Sequence, residues 1–168
     1  MILTRNEILE EIKKKRIKIV PFNKNALGPA SIDLTLGNEL RIFTKSIKPL
    51  KIKNTADYKK VTKKTKFGKQ YILRPGELVL GITKEKITLP KDICGWLNAR
   101  SRFARLGLMI HISSPFMQPG ISNRQVLEIY NAGPNKLTLI PGEKISQFVF
   151  QRCEGKAKYK GKFKNQKL

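Results

Sequence analysis

Residues 71–89 read Tyr71-Ile72-Leu73-Arg74-Pro75-Gly76-Glu77-Leu78-Val79-Leu80-Gly81-Ile82-Thr83-Lys84-Glu85-Lys86-Ile87-Thr88-Leu89, and they decide the fold. A run rich in β-branched and aliphatic residues, bounded by turn residues, reads as strand. Pro-Gly suits the centre of a type II turn. The pentapeptide Leu73-Arg74-Pro75-Gly76-Glu77 has an echo in Leu139-Ile140-Pro141-Gly142-Glu143, and a β-run follows each copy. Five residues are too few to establish a duplication. Pro119-Gly120 and Gly133-Pro134 add two turns, so the stretch 71–152 reads as short strands with turns every 8–14 residues. That pattern is a β-sandwich or barrel.

Outward from this core the signals change. Ser31 to Phe43 alternates apolar and polar, with Ile32, Leu34 and Leu36, then Leu40 and Ile42 past an expected Gly37-Asn38 turn. Thr4-Arg5-Asn6-Glu7 is a capping-box pattern ahead of Ile8, Leu9 and Ile12 at helical spacing, which predicts a short helix closed by Lys13 to Lys18 and ended by Pro21. Residues 44–70 hold ten Lys and one acid, Asp57, and read as an exposed excursion, a long hairpin or a solvated surface segment. Ser101 to Leu108 predicts one or two helical turns. Lys156 to Leu168 is a polar, basic tail.

The chain has 168 residues, 40% of them hydrophobic, which is room for one domain, or one domain plus a tail. No apolar run is long enough for a membrane span, and Met1 to Ile12 lacks the apolar region of a signal peptide; a cytoplasmic protein is expected. Cys94 and Cys153 are the only cysteines, too few for a disulfide framework or a Cys-based zinc cage. Thirty-five Lys and Arg against twelve Asp and Glu give a formal charge of +23. Such a field attracts polyanions: nucleic acid, an anionic membrane surface or a nucleoside polyphosphate.

Three segments could carry chemistry. Arg100, Arg102 and Arg105 flank Ser101 in one short segment. Guanidinium forks grip phosphate oxygens in a bidentate way, although a solvated basic turn would look the same. Glu128 stands in the apolar strand Gln125-Val126-Leu127-Glu128-Ile129-Tyr130-Asn131, and alternation puts it on a face with Val126 and Tyr130. A carboxylate in a dry pocket can shuttle protons near neutrality; on a half-exposed strand it is a surface residue. The loop His111 to Gly120 offers small polar residues and backbone groups to a flat heterocycle, with His111 itself read as a packed strand residue. The chain lacks G-x-S-x-G, a Walker loop and the H-x-E with P-C-x-x-C of zinc deaminases.

At these places the sequence resembles the dCTP deaminase/dUTPase family, in order and along nearly the whole chain. Pro29-Ala30-Ser31-Ile32-Asp33-Leu34-Thr35-Leu36-Gly37 is similar to its N-terminal P-[AS]-S-x-D-L-x-L-G, Arg100 to Leu108 to R-S-S-L-A-R-L-G-L, Val126-Leu127-Glu128 to the catalytic strand, and Leu139 to Phe150 to the closing L-x-P-G-x-x-I-x-Q-x-x-F. Tyr159, Lys162 and Gln166 echo the tail Y…K-Y-x-x-Q. The resemblance implies a mainly β fold, a distorted antiparallel barrel or jelly roll of the dUTPase-like type with a short N-terminal helix. Residues 1–155 would form that domain, residues 156–168 a tail closing over the nucleotide, and the assembly would be a homotrimer with active sites between subunits.

The implied activity is zinc-independent hydrolytic deamination of dCTP to dUTP, with dUTP diphosphatase or a bifunctional enzyme as the alternative. Glu128 would be the general acid and base, and Ser101 would sit near both water and phosphate. Arg100, Arg105, Lys162 and Gln166 would hold the triphosphate, with Mg²⁺ bound through it and no protein metal ligands. Tyr159 would pack on the closed site, the Ser114 carbonyl region would fix the water, and Val126 and Leu127 would line the base. Two departures stand out. Gln118 occupies the place of the Asp that supports water attack on phosphorus in dUTP-cleaving members, which leaves Asp33 as another acid for that step. Arg102 replaces a usual Ser and adds a cation beside the phosphates. A nucleic-acid-binding module is disfavoured, since the chain shows no stacking platform of interleaved aromatics. A nucleotide sensor without catalysis is the remaining reading.

Overall fold

Alternating apolar residues organise an antiparallel sheet that curls on itself. The computed structural model describes residues 1–164 and 166–168. In chain order its elements are α1 (Arg5–Lys13), β1 (Lys18–Val20), β2 (Ile32–Phe43), β3 (Thr62–Lys66), β4 (Tyr71–Leu73), β5 (Leu78–Thr88), β6 (Ile93–Ala99), α2 (Ser101–Ala104), β7 (Leu108–Ile110), β8 (Phe116–Met117), β9 (Ser122–Asn131), β10 (Leu137–Leu139) and β11 (Lys144–Arg152), with a 3-10 turn at Tyr58–Val61. The main sheet runs β7-β9-β5-β2-β11-β6-β8, with β1 on β5 and β3 on β2, while β4 and β10 form a separate ribbon. The long strand β2 pairs with β11 through Ile32 to Thr35 and with β5 through Leu36 to Ile42. Handing one strand from one neighbour to the next curls the sheet around Leu34, Leu36, Leu40, Ile87, Leu127, Ile129, Phe148 and Phe150. This is the distorted barrel with a short N-terminal helix. Close packing leaves no room for a side chain at Gly95 on β6, where a Cβ would run into the Phe148 ring.

Three local expectations are corrected. Gly37-Asn38 is no turn: β2 runs straight through it, and the pairing with β5 shifts register between Leu36 and Leu40. A bulge with glycine breaks the pattern much as a turn does. Thr4 is the N-cap of α1, but its side chain makes no capping hydrogen bond. The helix stops at Lys13, ahead of Pro21, because Lys15 turns into the left-handed region at φ 58°. The hairpin reading of the basic excursion is realised: β3 returns to pair with β2 from Glu39↔Lys66 to Phe43↔Thr62.

A buried ion cluster fastens α1 to the sheet. Glu11, 4% exposed, accepts from Arg16 Nε at 2.7 Å and from Arg152 Nη2 at 2.9 Å, and Arg16 Nη2 reaches Asp92 at 2.7 Å. Burial alone would raise the Glu11 carboxyl; the hydrogen bonds and charges of Arg16 and Arg152 outweigh it and hold the pKa below the ordinary 4.5. Asp92 is held low chiefly by Arg16. A depressed carboxyl stabilises the fold above its unfolded pKa, and the contribution is lost as pH falls through the folded one. Glu11→Gln is therefore expected to lower unfolding free energy by about 2 kcal/mol at neutral pH. Denaturation of both proteins at a series of pH values should show the difference shrinking below about pH 4. A difference independent of pH would remove the ion cluster from the explanation.

Candidate active site

The strand β9 sorts its side chains by alternation: Asn123, Gln125, Leu127, Ile129 and Asn131 are buried, while Val126, Glu128 and Tyr130 share the other face. One edge of β9 is covered by β5 and the other by the three residues of β7, which end opposite Ile129. Just beyond, the His111 N–H donates to the Glu128 carbonyl at 2.7 Å, and His111 adopts a left-handed φ of 60°. The chain swings out there and returns so that the Ser113 N–H donates to Glu128 Oε2 at 3.0 Å and the Ser113 hydroxyl lies 3.3 Å from the same oxygen. Pro115 fixes the far end of the loop by accepting from the Leu97 N–H at 2.9 Å. The carboxylate is thus held by a loop whose two ends are tied to the sheet.

Glu128 faces a cavity of about 460 Å³. From the loop it is lined by His111, Ser114, Phe116, Met117 and Gln118; from β9 by Asn123 and Val126; from the tail by Tyr159, Phe163 and Gln166. Phe43, Tyr58, Leu80 and Ile121 complete it, leaving Glu128 the sole carboxylate among its described lining residues. Burial pushes the His111 imidazole below its ordinary value, against the pull of the Glu128 carboxylate. Neither ring nitrogen of His111 has a hydrogen-bond partner among the described residues. The reading of His111 as a packed strand residue is corrected: it follows β7 and lines the cavity.

The tail folds back over this region. The Tyr159 N–H donates to Pro119 O at 3.0 Å, buried Asn123 donates from Nδ2 to Phe163 O at 2.9 Å, and Gln166 Nε2 donates to Arg124 O at 3.2 Å. Leu168 is buried against Leu80 and Ile82.

Of the predicted site residues, Ser114, Gln118, Val126, Glu128, Tyr159 and Gln166 meet in this one cavity. Leu127 points into the core, the necessary consequence of Glu128 pointing out, so only its backbone faces the strand's neighbours. Lys162 lines an adjoining cavity. Arg100, Ser101, Arg102 and Arg105 do not line the Glu128 cavity of their own chain. They form α2 and its flanks as expected, and Arg100 is engaged by Asp33 at 3.1 Å and by the Lys144 carbonyl at 2.9 Å. Sequence reasoning missed Tyr58. It is the one aromatic residue between Phe43 and Phe67, a signal that the surrounding lysines hide. Among the described residues, no group of three His, Cys, Asp or Glu converges to hold a metal ion, and no helix is long and apolar enough to cross a membrane.

The structure is a curled antiparallel sheet with a carboxylate on one of its strands and the tail across the cavity that carboxylate faces. The dCTP deaminase-like family model matches residues 2–153. A protein of Nocardioides sp. named "dCTP deaminase, dUMP-forming" is 36% identical, over 99% of this chain and 92% of that one. A "dCTP deaminase" of Shewanella amazonensis is 38% identical over 92% of this chain and 85% of its own length. Among solved structures, the 2'-deoxycytidine 5'-triphosphate deaminase from Agrobacterium tumefaciens shares the fold, with a TM-score of 0.71 at 21% identity over 91% of this chain; the match spans 48% of that longer protein. The chain belongs to the dCTP deaminase-like family, and it is a hydrolase.

Proposed function

We propose that the protein deaminates dCTP to dUTP and ammonia, with Glu128 moving the protons. The observation that carries the reading is the Glu128 carboxylate, held by Ser113 and facing a nucleotide-sized cavity in which no second described carboxylate competes. Glu128 takes a proton from water as the oxygen attacks C4 of the pyrimidine, then gives it to the departing ammonia; the sum is dCTP plus water to dUTP plus ammonia. The Ser113 N–H fixes the carboxylate for both transfers. The Ser114 carbonyl region, Val126 and the Leu127 backbone place base and water. The reading routes no step through zinc, because Glu128 carries the proton in both transfers. Mg²⁺ enters on the triphosphate as part of the substrate.

The triphosphate is gripped by Arg100, Ser101, Arg102 and Arg105 from a neighbouring copy of the chain in a homotrimer. Two features support this division. The arginine turn is outside the Glu128 cavity of its own chain, and Leu106, Met109 and Ile112 leave exposed apolar surface between that turn and the loop. Tyr159, Lys162 and Gln166 close the site from the tail. A free-nucleotide substrate suits a cytoplasmic enzyme.

A second reading, deamination followed by release of pyrophosphate to give dUMP, is favoured by the name of the Nocardioides relative. Gln118 lines the cavity where that step would want a carboxylate, and Asp33 is paired with Arg100. Incubation with Mg²⁺ and either dCTP or dUTP separates the readings. Ammonia from dCTP with dUTP left intact supports the first. Pyrophosphate from both nucleotides supports the second. Pyrophosphate from dUTP without ammonia from dCTP would overturn both.

A further inference from the structure

The basic excursion is not a free surface segment at its far end. Asp57 caps the turn Tyr58–Val61, its carboxylate accepting the Lys59 N–H at 3.1 Å. The Thr62 hydroxyl donates to the Tyr58 carbonyl at 2.8 Å, and the Arg41 guanidinium lies 5.6 Å from the Tyr58 ring centroid. Tyr58 in turn donates from its hydroxyl to the Lys167 carbonyl at 3.3 Å, so this turn and the C-terminal tail are joined. Between them lies a cavity of about 250 Å³. Lys59 from the excursion and Lys162 and Lys167 from the tail line it against one carboxylate, Asp57. Tyr58, Phe163 and Gln166 line both this cavity and the one that holds Glu128, so the two adjoin across these side chains.

A concave, cation-rich space next to a pocket proposed for a flat base suits a phosphate chain. We infer that Lys59 binds the phosphates of the nucleotide and that the excursion, through its Tyr58–Val61 turn, is a wall of the site. The inference rests on the proposed triphosphate substrate and adds a residue to it. Lys59 supplies a cation from a segment separate from the tail, and the turn holds it in place through its cap and through Tyr58.

The test is titration calorimetry on the full-length protein and Lys59→Glu, using dCTP, deoxycytidine and inorganic tripolyphosphate at fixed ionic strength. Lys63→Glu, an exposed position on β3 outside both cavities, makes the same charge change elsewhere. Lys59→Glu is expected to weaken dCTP and tripolyphosphate by about tenfold or more and to leave deoxycytidine unchanged. Lys59→Ala should give a smaller loss in the same direction. Lys63→Glu should stay within about twofold of the parent, as expected of an exposed, screened charge that lines neither cavity. Equal losses for Lys59→Glu and Lys63→Glu would overturn the inference, as would an equal loss of deoxycytidine. If the parent does not turn dCTP over yet binds tripolyphosphate in a Lys59-dependent way, the substrate reading falls and the anion subsite stands.

Discussion

Glu128→Gln is expected to cut ammonia release from dCTP by about a thousandfold or more, with nucleotide affinity nearly unchanged. The two halves of that result have separate causes. Gln keeps the length of the side chain and an oxygen for the Ser113 N–H, which now sits 3.0 Å from the carboxylate. The cavity wall therefore stays in place. An amide cannot accept a proton from water or deliver one to ammonia near neutrality, so the chemical step loses its carrier. Steady-state turnover together with direct binding of dCTP reads both halves. Loss of binding alongside turnover would make Glu128 a structural residue; full turnover would remove it from the mechanism.

Ending the chain after Gly155 is expected to lower kcat/KM for dCTP by about a hundredfold or more while the sheet remains folded. The tail brings Tyr159, Phe163 and Gln166 to the cavity and Lys162 to its extension. It also covers Asn123 and places Leu168 against Leu80 and Ile82. Without it the site is open to water and lacks its tail-borne cations, Lys162 and Lys167. The barrel core is built from β2, β5, β6, β9 and β11, so circular dichroism should change little. An unchanged rate would discard the closing role of the tail; a collapsed spectrum would make the tail part of the fold.

The parts of the structure legible in the sequence are those set by local patterning. Alternation put Glu128 on the face opposite Leu127 and Ile129, and burial follows that division. The Pro-Gly pairs predicted turns, and Gly76, Gly120 and Gly142 adopt positive φ of 74°, 75° and 97°, as the position after proline in a type II turn requires. The echoed pentapeptides have a spatial reason: the strands entering them, β4 and β10, pair with each other, Leu73 opposite Leu137 and Tyr71 opposite Leu139.

What escaped depends on tertiary context. Gly37 looked like a hairpin turn because a bulge and a turn use the same residues. His111 looked like strand because nothing local marks where β7 must stop to free Glu128. Tyr58 was lost among lysines because its worth lies in what a segment more than a hundred residues later brings to it. The arginine turn was read from its residues as an anion site, and that it does not line the Glu128 cavity of its own chain appears only in three dimensions.

The central claim is that water attacks carbon in the ring, and turnover of dCTP in ¹⁸O-labelled water tests it most directly. Mass spectrometry of the product nucleotide should find the label in the pyrimidine at C4, whether or not a second label follows into phosphate. Label confined to phosphate, with the cytosine amine retained, would contradict the account.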